Sequence, residues 1–151
     1  MKIIYAGSPD ASKITLEILY NNQAEYGFEI VGVLSNPDSA KGRHKELTPT
    51  PVAAFAMEKG LPVLKPEHLD AVAREEVQAL NPDLLVSFAY GHIFGPKFLG
   101  IFPMGGINLH PSLLPKYRGC TPVPAAIKNR DKQTAATVQT LALKMDEGDI
   151  V

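Results

Sequence analysis

Short apolar runs alternate along the chain with stretches in which apolar residues recur at helical spacing. Lys2 to Ala6 (KIIYA) is short, apolar and β-branched, which predicts a buried strand closed by Gly7. Ser8 suits a helix N-cap, Pro9 the first helical position and Asp10 the positive end of a helix dipole. A helix is predicted from Pro9 to about Asn21, with Ile14, Ile18 and Leu19 facing inward. Phe28 to Leu34 (FEIVGVL) reads as a second strand, and Ser35 to Thr48 as a polar loop. Pro51 to Lys59 reads as a helix that Gly60 is placed to end. Pro62 to Leu64 follows as a short strand, then a helix from Pro66 to Leu80, which Asn81-Pro82 breaks. Leu84 to Phe88 and Gly106 to Leu109 read as strands, Gly95 to Leu99 and Pro122 to Asn129 as helices, and Thr134 to Leu143 as a last strand.

Strands separated by helices imply βαβ units with right-handed crossovers. The expected class is α/β, a Rossmann-like doubly wound, mainly parallel sheet. Ligands of such sheets bind beyond the carboxyl ends of the strands, where Gly7, Ser35, Ala89 and His110 fall. A dinucleotide fingerprint needs three glycines in the first βα turn. Ala6-Gly7-Ser8-Pro9-Asp10 has one, with a proline that removes an N–H and an acid that repels phosphate.

Composition narrows the picture further. The 151 residues, 45% apolar and 21% charged, suffice for one ordinary core and argue against disorder. No apolar run approaches the ~20 residues of a membrane helix, and the N-terminus turns polar too early for a secretory signal. The single cysteine, Cys120, cannot form an internal disulfide, so a reducing, cytoplasmic compartment is expected. A net charge of −1 argues against a uniformly basic nucleic-acid binder. Charge is nevertheless segregated. Lys41, Arg43 and Lys45 cluster in the first polar loop, and Lys116, Arg118, Lys128, Arg130 and Lys132 face the lone acid Asp131. A local positive rim binds phosphates whatever the overall sum. A solvated surface loop is the plainer reading of the first cluster.

The candidate chemistry lies in Gly106-Ile107-Asn108-Leu109-His110-Pro111-Ser112-Leu113-Leu114-Pro115-Lys116-Tyr117-Arg118-Gly119. Asn108 and His110 are two apart, so on a strand they share a face. An amide and an imidazole at one strand end can converge on an oxygen where charge develops. A carboxylate is then needed to orient the ring, and Asp146 is the candidate. By itself, Asn-x-His is as compatible with polar groups that merely satisfy loop backbone. The spacing of His and Cys fits no metal signature, so no metal is expected.

The string NLHPSLLPKYRG resembles the core motif of the folate-dependent formyltransferases, and MDEGDI resembles their second motif. IIYAGSPD, the loop NPDSAKGRHKELTPTPV and SFAYGHIFGPKFL resemble the branch of that family that formylates methionyl initiator tRNA. The resemblance covers the whole chain. It implies transfer of formyl from 10-formyltetrahydrofolate to the α-amine of the charged initiator tRNA by direct attack, through a tetrahedral intermediate, without a metal. By motif, the catalytic residues fall on Asn108, His110 and Asp146. The folate site falls on Phe88, Ala89, Tyr90, Gly91 and Ile93, with further contacts on Ser112, Leu113, Leu114 and Pro115. Contact with tRNA falls on Lys41, Arg43, Lys45, Lys116 and Arg118, with Arg43 reading the end of the acceptor stem. The chain departs from the family at Gly119-Cys120-Thr121-Pro122, where Gly-Ala-Ala-Pro is common. The resemblance also implies that residues 1–151 are a catalytic domain incomplete at its C-terminus, lacking a C-terminal β-barrel domain that holds tRNA. It implies a full-length protein that is a cytoplasmic monomer. Two other readings stay open: a formyltransferase acting on a nucleotide-linked amino sugar or other small amine, and a non-catalytic Rossmann-like binding module.

Overall fold

The structure, a computed structural model, describes residues 1–41 and 46–151, without the side chain of Lys41. Arg43, Lys45 and the side chain of Lys41, expected at the RNA interface, therefore lie outside the described residues.

The chain runs β1 (Lys2–Gly7), α1 (Asp10–Tyr26), β2 (Glu29–Leu34), β3 (Ser39–Lys41), β4 (Glu46–Thr48), α2 (Pro51–Glu58), β5 (Val63–Leu64), α3 (Ala71–Ala79), β6 (Leu84–Phe88), α4 (Pro96–Leu99), β7 (Gly106–His110), α5 (Pro122–Lys128) and β8 (Thr137–Thr140). The main sheet has the order β5-β2-β1-β6-β7-β8. All neighbours pair in parallel except β8, which runs antiparallel to β7. This is the mainly parallel, doubly wound sheet that the sequence predicts.

The continuous apolar run of β1 follows from burial on both faces. Ile4 and Ala6 pack with Leu34, Val77, Leu85, Phe94 and Phe98 on one side. Tyr5 packs with Leu16, Ile30, Val33, Val52 and Phe55 on the other. Gly7 permits a close crossing, since a Cβ there would lie 1.8 Å from Ser12 Oγ and 2.7 Å from the Phe88 carbonyl oxygen. No helix of the described residues is long and apolar enough to cross a membrane.

Several elements depart from the sequence pattern. Helix α1 runs on to Tyr26 and ends at Gly27, in the left-handed region at φ 67°. Its inner face is Ser12, Leu16, Leu19 and Tyr20, whereas Ile14 and Ile18 are more than half exposed. Leu19 thus faces inward as predicted, while Ser12, Leu16 and Tyr20 take the places expected of Ile14 and Ile18. Ser8 does not cap the helix. Pro9 holds the cap position, and Ser8 Oγ instead accepts from the backbone N–H of Asn36, 3.2 Å away. Helix α3 begins five residues later than predicted, because the Asp70 carboxylate caps the N–H of Ala73 at 3.0 Å. The loop from Ser35 to Thr48 contains an antiparallel ladder in which Ala40 faces Leu47. Strand β8 is shorter than the predicted Thr134–Leu143 segment.

Two buried phenols give a first prediction. Burial pushes the hydroxyls of Tyr5 and Tyr90 up to about 12 from 10.0 by disfavouring phenolate. The folded state holds these protons more tightly than the unfolded chain. Their contribution to stability is complete below about pH 10 and is lost as pH rises towards about 12. Urea midpoints are expected to fall steeply across that window. A midpoint that stays level to about pH 11 would contradict the assignment.

Candidate active site

The carboxyl-terminal halves of β6 and β7, with the antiparallel β8 alongside, carry the functional side chains. In β7, Asn108 pairs with Ser87 of β6 and Gln139 of β8, and His110 pairs with Thr137. The period of two places Asn108 and His110 on one face, as the sequence predicts. His110 is 5% exposed. Its Nε2 donates to the carbonyl of Tyr117 at 2.8 Å, since a carbonyl can only accept. Its Nδ1 stands 3.4 Å from Asp146 Oδ1. The ring is therefore hydrogen-bonded at Nε2 and faces the Asp146 carboxylate with Nδ1.

Asp146 is fixed from three sides. Its Oδ2 accepts from the N–H of Gly119 at 2.8 Å, and its Oδ1 from Gln139 Nε2 at 2.7 Å. Arg118 Nε donates to its carbonyl oxygen at 2.9 Å. Tyr117 and Asp146, the residues on either side of the imidazole, adopt φ of 58° and 54°. L-residues reach this left-handed region at a cost of about 1–2 kcal/mol each. Such strain persists where surrounding contacts over-determine it, and it clusters at functional sites. Asn108, by contrast, makes no side-chain hydrogen bond among the described residues, so its amide is free to meet a ligand.

These groups open on a cavity of about 380 Å³, within the range of small-molecule sites. Three segments wall it, Ser87 to Phe94, Asn108 to Pro111 and Gln139 to Asp146, with Gly119, Cys120 and Pro122. The first wall is tied down from β2. Asn36 Nδ2 donates to the Tyr90 carbonyl at 3.0 Å, and Asn36 Oδ1 meets His92 Nε2 at 2.9 Å. Ala89 and Gly91 there have φ of 52° and 88°. Below it an aromatic ladder runs from Tyr90 through Phe94 and Phe98 to Phe102, with ring centroids 5.5 to 5.8 Å apart.

A family model described as formyl transferase matches residues 1–151. The chain belongs to the formyl transferase family. A methionyl-tRNA formyltransferase of Treponema denticola is 44% identical over 159 residues, which cover 100% of this chain and 48% of that protein. One of Borreliella afzelii is 45% identical over 151 residues, covering 100% and 46%. The chain thus spans about half the length of the curated relatives it matches. Glycinamide ribonucleotide transformylase 1 from Symbiobacterium toebii superimposes with a TM-score of 0.80 at 22% identity, over 100% of this chain and 70% of that one. That likeness shows that the formyl transferase fold is shared.

The structure brings together eight of the twelve residues predicted for catalysis and folate contact. Asn108, His110, Asp146, Phe88, Ala89, Tyr90, Gly91 and Ile93 all line the cavity. Ser112, Leu113, Leu114 and Pro115 do not. They form a packed turn, in which Ser112 Oγ donates to the Lys116 carbonyl at 2.6 Å and the Leu114–Pro115 bond is cis. Thr137 Oγ1 donates to the Ser112 carbonyl at 2.7 Å and accepts from the N–H of Leu114 at 3.3 Å. Part of the lining comes instead from 139–146, of which the sequence pattern assigned residues up to Leu143 to a strand.

The predicted cations are also engaged within the fold. Lys116 donates to Asp131 at 2.7 Å, and Tyr117 OH donates to the same oxygen at 2.7 Å. These hydrogen bonds hold the Asp131 carboxyl below its ordinary range and the Lys116 ammonium above its own. Arg118 braces the Asp146 loop and stands 3.9 Å from Glu147. Sequence reasoning missed Gln139, the N–H of Gly119 and the carbonyl of Tyr117. The one available signal was the pair of polar residues Thr137 and Gln139 at alternate positions of a strand, both of which turn inward.

Cys120, the single cysteine, is exposed and also lines the cavity. A bulky maleimide placed there is expected to block ligand entry. Labelling should abolish binding to this cavity in the parent and leave a Cys120→Ser variant unaffected. Equal loss in both would mean that the reagent acts elsewhere.

Proposed function

We propose that this chain carries the catalytic site of an enzyme that transfers formyl from 10-formyltetrahydrofolate to the α-amine of methionyl initiator tRNA. The observation that carries the reading is the convergence of Asn108, His110 and Asp146 on one cavity, in a member of the formyl transferase family. The names of its relatives favour tRNA as acceptor.

The neutral amine attacks the formyl carbon on N10 of the folate. A C–N bond forms, and the carbonyl π pair moves onto oxygen. The free amide of Asn108 donates to that oxyanion. His110 adds a second donor when Nε2 exchanges the Tyr117 carbonyl for it, while Asp146 holds the other side of the ring. The oxyanion collapses, the bond to N10 breaks, and N10 takes up one proton for the one that the amine gives away. The products are formyl-methionyl-tRNA and tetrahydrofolate, and no metal takes part. A flat pterin fits the slot beside Phe88, Ala89, Tyr90, Gly91 and Ile93, where loop backbone supplies donors and acceptors. Lys41, Arg43 and Lys45 are the proposed tRNA contacts, with the exposed edges of Lys116 and Arg118 as a secondary rim.

The test is formyl transfer by the full-length gene product, with charged initiator tRNA and nucleotide-linked amino sugars offered in parallel. Transfer to tRNA is expected. Transfer to the amino sugar alone would replace the acceptor, and folate binding without transfer would favour a non-catalytic module. In the same assay Arg43→Ala should raise the KM for tRNA without altering that for folate. An unchanged KM removes the loop from recognition.

A further inference from the structure

Gln139 is a buried amide whose two ends have unequal partners. It is 2% exposed. Its Nε2 donates to Asp146 Oδ1 at 2.7 Å, while its Oε1 is buried without a hydrogen-bond partner among the described residues. The orientation of the amide is fixed by chemistry, because a carboxylate can only accept. An unpaired buried acceptor costs about 1–3 kcal/mol. An apolar residue of the same shape would avoid that cost and fill the same space. The side chain therefore has one visible use, its grip on Asp146.

Its position makes the grip effective. Gln139 faces Asn108 directly in the β7–β8 ladder and bridges to Ile150 on its other side. It thus sits between the strand that carries Asn108 and His110 and the segment that returns from Asp146. Asp146 Oδ1, which it holds, is also the oxygen that faces His110 Nδ1. The N–H of Gly119 holds the other oxygen, Oδ2. Without Gln139, the carboxylate can rotate about its bond to Gly119, and the imidazole loses its fixed partner.

The geometry points to Gln139 as a positioning residue that sets the Asp146 carboxylate, and through it the His110 ring, for formyl transfer. This rests on the function proposed above. Gln139→Met keeps the length and removes both polar ends. In the full-length protein it should lower kcat by about 10-fold or more, approaching the ~10²-fold loss of an ångström's misplacement as the carboxylate swings free. The KM values for folate donor and tRNA should stay within about twofold, since Gln139 is only 2% exposed where it lines the cavity. In an Asp146→Asn background the same change should have no further effect on kcat, because the group it positions is already gone. Gln139→Glu, which sets a second carboxylate against Asp146, should lose at least as much kcat and serves if the methionine variant does not fold.

A kcat within about twofold of the parent in both variants overturns the role of Gln139 and leaves the proposed function standing. An equal loss in the parent and Asp146→Asn backgrounds overturns it too, because Gln139 would then act elsewhere. Full activity in Asp146→Asn itself removes Asp146 from the mechanism and overturns this inference, whereas the proposed function falls only if the parent transfers no formyl to charged tRNA.

Discussion

Replacing Asn108 or His110 by alanine is expected to lower kcat by about 10²–10³-fold, the usual loss when one donor to an oxyanion is removed. The two substitutions should differ in their structural cost. Asn108 has no side-chain hydrogen bond to lose among the described residues, so Asn108→Ala should melt close to the parent. His110→Ala leaves the Tyr117 carbonyl and Asp146 Oδ1 each short of one partner. Some loss of stability should accompany it, softened by Gln139 and the N–H of Gly119, which still satisfy the carboxylate. Asp146→Asn is not a mild change here. Both carboxylate oxygens accept from N–H groups, so an amide nitrogen at either position sets donor against donor. Its kcat should fall at least as far as that of His110→Ala. Steady-state kinetics with thermal melts on each variant decide the matter. Parental kcat in Asn108→Ala or in His110→Ala would remove that residue from the mechanism.

Part of this site was legible in the sequence for a simple physical reason. A strand repeats every two residues, so Asn108 and His110 could be placed on one face from spacing alone. Strand β1 is a short apolar run for the same kind of reason: packing covers both of its faces. Partners distant in sequence were not legible. Asp146 entered through its motif, but nothing local connects it to the N–H of Gly119 or to Gln139. The interior of α1 was misjudged because Ile14, Leu16, Ile18 and Leu19 offer two competing stripes. Packing against β1 and α2 chose Leu16 and Leu19. The ladder of β3 and β4 was hidden because its apolar residues, Ala40 and Leu47, are both exposed, with no buried face to set a period of two. Ser112 to Pro115, on which folate contacts were expected, lie in a packed turn outside the cavity lining. Thr137 and Lys116 occupy the polar groups of that turn, and the cavity opens on its other side.

Gly148→Ala should be the most damaging change outside the reacting groups. A Cβ at this position would lie 1.7 Å from the carbonyl oxygen of Thr140, 2.7 Å from its carbonyl carbon and 2.8 Å from its Oγ1. Two of these atoms are backbone, so no side-chain rotation relieves the clash. Thr140 cannot retreat either, because it pairs with Ile107 in the sheet. The segment from Met145 to Asp149 must lift instead. That breaks the bond from the N–H of Thr140 to the Asp149 carbonyl at 2.8 Å and the bond from the N–H of Asp149 to Thr140 Oγ1 at 2.9 Å. Asp146 rides on this segment, two residues from the clash, and has no slack in its contacts to Gly119, Gln139 and His110. An ångström of displacement there costs about 10²-fold in rate, so kcat should fall by at least that much. Forced packing of this kind also costs about 1–3 kcal/mol of stability. Gly95→Ala is the matched control. A Cβ there meets nothing within 4 Å, and its backbone lies outside the left-handed region. That variant should keep parental kcat and melting temperature. A Gly148→Ala protein with parental kcat would show that the segment carrying Asp146 can move without consequence, which the three fixed contacts of that carboxylate do not permit.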